Sequence, residues 1–373
     1  MKTVEEYIVP WVRRSEPYGE SHVDFAWANP DIVRMMSNEN PMPPSDKVLS
    51  AIVEAAKHGN LYPESGARLQ ARLGEEAGLG PENVVLGDGS TDVISFVVGT
   101  FVAPGEEVVI PVPTFSMYES RTRILGGTPV LVPMTSDFCW DIDAILRAVT
   151  EKTKVVFIAS PNNPTGNQIP EGDLMRIVEL GLPTFLDEAY YELENEPRTR
   201  AYLVREHPHV MVSRTFSKAY GLAGLRLGYV LCDAKLADYF RRVKNPWNVS
   251  LLALAAALAC LEDEEDHREK RQNILAGRQY ILDQTNEIPG IRAYPSEGNF
   301  LLVDASCLGL SSSEIVKGMV ERGVFIRAMD AHNATRGFVR VTVGTPDMNR
   351  KFVEVFRAFV EETGGGRVVA QPE

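Results

Sequence analysis

The chain has 373 residues, 44% of them hydrophobic and 24% charged, with a formal net charge of −13. That length exceeds the roughly 250–300 residues at which a single core stops growing, so one large domain with a smaller one is expected. The acidic balance excludes a general nucleic-acid or anionic-membrane partner, because both need a basic footprint, yet it leaves small anions open to local arginines.

In chain order, Met1 to Pro10 carries Glu5 and Glu6 and no apolar run, so no secretory leader is expected. From Asn83 onward short β-rich runs, at 83–86, 107–110, 129–132, 154–159, 184–186, 210–213 and 228–231, alternate with helical spacing. Val93, Ile94, Val97, Val98 and Phe101 form one helical stripe, and Ile142, Ile145, Leu146 and Val149 another. This rhythm predicts an α/β fold with a mostly parallel seven-stranded sheet covered by helices.

After Asn245 the pattern changes to a long helical stretch that includes the buried-type apolar run 251–261, too short to span a bilayer. Strands near 300–303, 324–327 and 338–343 and a helix around 351–359 follow, which read as a smaller α+β domain. The expected division is a large domain at 30–244, a small domain at 1–29 plus 245–363, and a disordered tail at 364–373. Cys139, Cys232, Cys260 and Cys307 lack paired spacing, which predicts free thiols without metal and, by default, a cytoplasmic location.

In open α/β sheets ligands sit beyond the carboxyl ends of the strands, so the loops after strands are where chemistry is sought. Three stand out: Ser160-Pro161-Asn162-Asn163-Pro164-Thr165-Gly166, Asp187-Glu188-Ala189-Tyr190, and Arg214-Thr215-Phe216-Ser217-Lys218. Eight residues beyond Lys218, Arg226 stands among glycines that let backbone approach a ligand, and its guanidinium suits phosphate. The turn Gly87-Asp88-Gly89-Ser90-Thr91-Asp92 opens a helix whose N-terminal N–H groups suit phosphate too. Taken singly, Asp187 reads as a turn residue, Arg226 as a surface arginine and Lys218 as a solvated lysine. Their conjunction, in this order and after these strands, predicts a cofactor site.

These motifs, with Ser37-Asn38-Glu39-Asn40-Pro41, Leu61-Tyr62-Pro63, Pro113-Thr114-Phe115-Ser116-Met117-Tyr118 and Val339-Arg340-Val341-Thr342-Val343-Gly344, give the chain a clear resemblance. It resembles the fold-type I, class I/II aminotransferases that use pyridoxal 5′-phosphate, and more narrowly the histidinol-phosphate aminotransferases. The resemblance implies the PLP-dependent transferase fold type I. It makes Lys218 the residue that carries the cofactor as a Schiff base and moves protons, with Asp187 on the pyridine nitrogen. Asn163 and Tyr190 fall on the phenolic oxygen, and Phe115 stacks on the ring. Ser90, Thr91, Thr215, Ser217 and Arg226 hold the phosphate.

The resemblance further implies a homodimer with shared active sites, in which Tyr62 reaches the neighbour's cofactor phosphate. Arg340 and Arg327 bind the acidic end of the substrate, alongside Asn163, Tyr62 and Trp11. Two positions depart from the family pattern: Trp11 follows Pro10 where a tyrosine is usual, and Pro43 replaces a glycine. His332, in the loop between the two arginines, reads as a surface residue. The implied reaction moves an amino group between histidinol phosphate and 2-oxoglutarate, an amino donor and a 2-oxo acid acceptor. An aminotransferase for aromatic or other amino acids, or a decarboxylase similar to those acting on threonine phosphate, is the alternative. A regulator with an aminotransferase-like domain would need an additional helix-turn-helix domain and a basic surface, for which neither spare length nor charge is expected here.

Overall fold

Branched and aromatic side chains at consecutive positions suit strands buried on both faces. Numbered after the two-residue β1 (Val33–Arg34), the strands of the large sheet are β2 (Val84–Gly87), β3 (Glu107–Val112), β4 (Thr128–Pro133), β5 (Thr153–Ala159), β6 (Thr184–Asp187), β7 (Val210–Thr215) and β8 (Gly228–Leu231), all mainly buried except the half-exposed edge strand β4. They come from a computed structural model that describes residues 3–330 and 335–364. His332 and the tail expected from 364 lie outside the described residues, Gly364 apart.

The strands form one sheet in the order β2-β8-β7-β6-β5-β3-β4, with β8 antiparallel to both neighbours and the other adjacent pairs parallel. The expected sheet is therefore present, with strand ends moved by at most two residues. Alternate side chains enter opposite cores: in β5, Val156 and Ile158 join one, and Val155, Phe157 and Ala159 the other. Both faces are thus covered, and ligand access is left to the sheet's edges.

Register brings the functional loops together. Ala159 pairs with Asp187 and Asp187 with Ser213, so the ends of β5, β6 and β7 lie side by side. Because β8 runs the other way, it enters the sheet where its neighbours leave: Gly228 pairs with both Thr215 and Gly87. Arg226 and the helix Gly89–Phe101 consequently start at the same edge as Lys218.

A second sheet, β12 (Arg327–Ala328), β13 (Phe338–Thr342), β10 (Phe300–Asp304) and β9 (Arg292–Ala293), is antiparallel throughout. Its inner side chains, among them Leu301, Val303, Val339 and Val341, pack on Phe352 and Phe356 of the helix Pro346–Glu362. Thr345 caps that helix and Pro346 opens it, where a missing N–H costs nothing.

Three expectations need correction. The single strand at 324–327 divides at Ile326: β11 (Val324–Phe325) pairs with β1, while β12 pairs with β13. The helix Leu251–Leu261 buries Ala253, Leu254, Ala257 and Cys260 in the core of the seven-stranded sheet, so a boundary at 244/245 cuts through that core. Met35, expected in the large domain, packs in the core of the second sheet.

Candidate active site

A cavity of about 350 Å³ opens at the edge where β5, β6 and β7 end, between the two sheets. Lys218 lines it on a loop tied down by Thr215, whose hydroxyl accepts from Ser217 N–H (3.1 Å) and donates to Leu227 O (3.2 Å). The Lys218 Nζ donates to Asn38 O at 3.1 Å. Removal from water, reinforced by Arg340, lowers its pKa to about 7.

Asp187 and Glu188 are adjacent, yet they turn to different partners. Glu188 is fully buried and pairs with Arg214 at 3.1 Å, a structural pair. Asp187 lines the cavity; its Oδ2 accepts from Tyr118 Oη at 2.6 Å and its Oδ1 from Ala189 N–H at 3.0 Å. Burial raises its pKa to about 6, against the opposing effect of those two hydrogen bonds.

The two asparagines of the β5 loop divide in the same way. Asn162 is spent on the fold, accepting from Thr114 Oγ1 (2.7 Å) and donating to Pro113 O (3.0 Å). Asn163 faces the cavity, and its Oδ1 accepts from Arg340 Nη1 at 2.6 Å, which leaves the amide N–H₂ free to donate inward. Tyr190 Oη accepts from Asn38 Nδ2 at 3.0 Å. Phe115 reaches the cavity from the end of β3.

Ser90, Thr91, Thr215, Ser217 and Arg226 line one end of the cavity. Gly89 has φ +73°, and a Cβ there would lie 2.2 Å from Arg226 Nη2. A glycine is therefore what lets the guanidinium sit against the first turn of the helix. At another end Arg327 and Arg340 are direct cross-strand neighbours. Arg340 also donates to Met36 O at 2.7 Å, and its buried Nε has no hydrogen-bond partner among the described residues. Burial, with Arg327 adding to it, lowers its pKa to about 10.

All the sequence-derived groups except Tyr62 and Trp11 thus meet in one cavity. Tyr62 is 79% exposed and stacks on Trp247 at 4.6 Å in a separate surface groove. Trp11, expected at the substrate, instead packs its indole against Gly126, whose lack of a side chain makes the room. Pro43 is exposed and also lies outside the cavity lining. From the N-terminal segment it is Tyr18 and His22 that line the cavity. Sequence reasoning missed these two, and it gave no role to Asn38 or Tyr118. The one sign that marks Asn38 is structural, a φ of +53° that asparagine tolerates.

Residues 30–356 match the family described as aminotransferase class I and II. The chain is similar to histidinol-phosphate aminotransferase of Methanosarcina mazei, 40% identical over 329 residues, 87% of each chain. It is similar to that of Akkermansia muciniphila, 38% identical over 331 residues, 88% of this chain and 90% of the relative. Among solved structures it resembles histidinol-phosphate aminotransferase from Sinorhizobium meliloti in complex with pyridoxal-5'-phosphate. That likeness has a TM-score of 0.81 at 28% identity and covers 95% of this chain and 97% of the other.

Proposed function

The chain belongs to the aminotransferase class I and II family, and from that premise we propose that it transfers an amino group between histidinol phosphate and 2-oxoglutarate, with pyridoxal 5′-phosphate held on Lys218. The cavity offers a group for each part of that cofactor. Lys218 would take the aldehyde, buried Asp187 would meet the pyridine nitrogen, and Asn163 and Tyr190 would bond the phenolic oxygen. The Gly89–Arg226 contact leaves a cradle of hydroxyls, backbone N–H groups and a guanidinium for the phosphate.

When bound, the cofactor supplies an electron sink for the pair left at the substrate Cα once its proton is removed. Asp187 would hold a proton on the ring nitrogen by keeping a buried carboxylate against it. Lys218, with a pKa lowered to about 7 so that a large share of its amine is neutral near physiological pH, would take the proton from Cα and return it to the cofactor's C4′ carbon. Phe115 would cover one face of the ring and exclude water there.

What supports histidinol phosphate as substrate is the pair Arg327 and Arg340, two cavity-lining guanidiniums with no acidic partner among the described residues. A dianionic phosphate answers that charge, and the distal carboxylate of glutamate fits the same pair in the other half-reaction. We read Tyr62, exposed and away from its own chain's cavity, as completing the site of a second copy in a homodimer. The test is a screen of single half-reactions with histidinol phosphate, glutamate and phenylalanine. Loss of the yellow cofactor band is expected with the first two at the highest kcat/KM. Preference for phenylalanine would overturn the substrate assignment.

A further inference from the structure

We infer that Tyr118 is a positioning residue for the reaction, holding the Asp187 carboxylate and the Phe115 ring in the one arrangement that lets both meet a bound pyridine ring. The inference rests on the function proposed above and deepens it.

Tyr118 is 1% exposed on the first turn of the helix Met117–Ile124. Its ring stacks on Phe157 at 4.8 Å with 14° between planes, and meets Phe185 edge-on at 6.4 Å. Those contacts with strand side chains fix the phenol, and the fixed hydroxyl is 2.6 Å from Asp187 Oδ2. Phe115 meets the same ring edge-on, at 5.7 Å and 89°. One anchored side chain thus braces the acid that faces the ring nitrogen and the aromatic that faces the ring plane.

The carboxylate has one donor on each oxygen, Tyr118 on Oδ2 and the Ala189 N–H on Oδ1. Both bonds favour the ionised acid in a site whose burial disfavours it, and each oxygen retains a lone pair for the cavity. Burial also keeps the phenol protonated well beyond the physiological range, so Tyr118 stays a donor. Removing its hydroxyl leaves a less ionised, less oriented acid, and the ring nitrogen keeps its proton less firmly.

The experiment follows the pH midpoint of the visible absorption band in the cofactor-loaded protein, with kcat and KM, for wild type, Tyr118→Phe, Asp187→Asn and the double variant. Asp187→Asn is expected to move the midpoint upward, because a ring without its positive charge makes the lysine linkage more basic. Tyr118→Phe should move it the same way by about half a unit to one unit. Its kcat should fall about tenfold, the scale of one hydrogen bond to a charged group, with KM within about twofold. In the double variant the loss should not exceed that of Asp187→Asn alone. A shift in Asp187→Asn with none in Tyr118→Phe overturns the role of Tyr118 only. No shift in either overturns the ring-nitrogen reading and this inference with it. If Tyr118→Phe does not fold, replacement of Tyr118 by 3-fluorotyrosine, a stronger donor, should move the midpoint downward, and an unchanged midpoint overturns the inference.

Discussion

Arg327 on β12 and Arg340 on β13 sit directly opposite each other, and both line the cavity without an ion-pair partner among the described residues. Like charges placed so are destabilising, on the order of 0.2–1 kcal/mol by analogy with other cross-strand pairs. Arg327→Ala should therefore raise the melting temperature of the cofactor-loaded protein in chloride. Inorganic phosphate should stabilise the wild type, and the substitution should remove most of that gain. Calorimetry in the two salts at equal ionic strength checks both signs.

The cradle at Gly89 makes a second prediction. Gly89→Ala places a Cβ 2.2 Å from Arg226 Nη2 in a residue with φ +73°. The left-handed conformation alone costs a non-glycine residue about 1–2 kcal/mol, and the displaced guanidinium adds to that. Cofactor affinity should drop at least about tenfold. Gly172→Ala, where nothing lies within 4 Å, is the matched control and should leave affinity unchanged. Equilibrium dialysis of the apoprotein against the cofactor measures the difference.

Lys218 gives a pH prediction. Its pKa is lowered to about 7, so the nucleophilic neutral amine accumulates as pH rises through 7. The rate at which apoprotein captures the cofactor should rise from pH 6 to 8 and level off above that, whereas an ordinary lysine would keep gaining toward 10. Stopped-flow absorbance at the visible band follows it. Lys218→Ala should show no such band at any pH.

How much of this was legible beforehand depends on range. The inner strands of the large sheet were readable because a strand buried on both faces must be apolar at consecutive positions, as Val155–Ala159 is. The placement of Asp187, Asn163 and Lys218 at one cavity followed, since Asp187 ends β6, and Asn163 and Lys218 lie on the loops that leave β5 and β7. Tyr118 and Asn38 were present in noted motifs, but their partners Asp187 and Tyr190 lie 69 and 152 residues away. No periodicity reports a hydroxyl's direction over that separation. Trp11 failed for the same reason in reverse: its packing partner Gly126 gives no local sign of being an indole platform. The strand at 324–327 divided because its two halves have different partners, which apolarity alone does not encode.

Tyr62 supports a mixing experiment. Its 79% exposure and its place in a surface groove outside the cavity predict that it acts in a partner's site. Lys218→Ala and Tyr62→Phe subunits, each nearly inactive, should form hybrids in which one site has both residues and the other neither. Activity of the mixture is expected to exceed both parents. Activity no greater than the average of the two parents would place Tyr62 in its own chain's site.

The central claim is that the paired arginines read a phosphorylated substrate, and kcat/KM for histidinol phosphate and for phenylalanine, in wild type and in Arg327→Ala, tests it most directly. A charged-group hydrogen bond is worth about 1.5–3 kcal/mol, so histidinol phosphate should lose at least about tenfold. Phenylalanine, without a distal anion, should lose less than about threefold, the spread of a substitution that breaks no bond to substrate. Equal losses for the two substrates, or a wild type that ignores histidinol phosphate while turning over phenylalanine, would contradict the account.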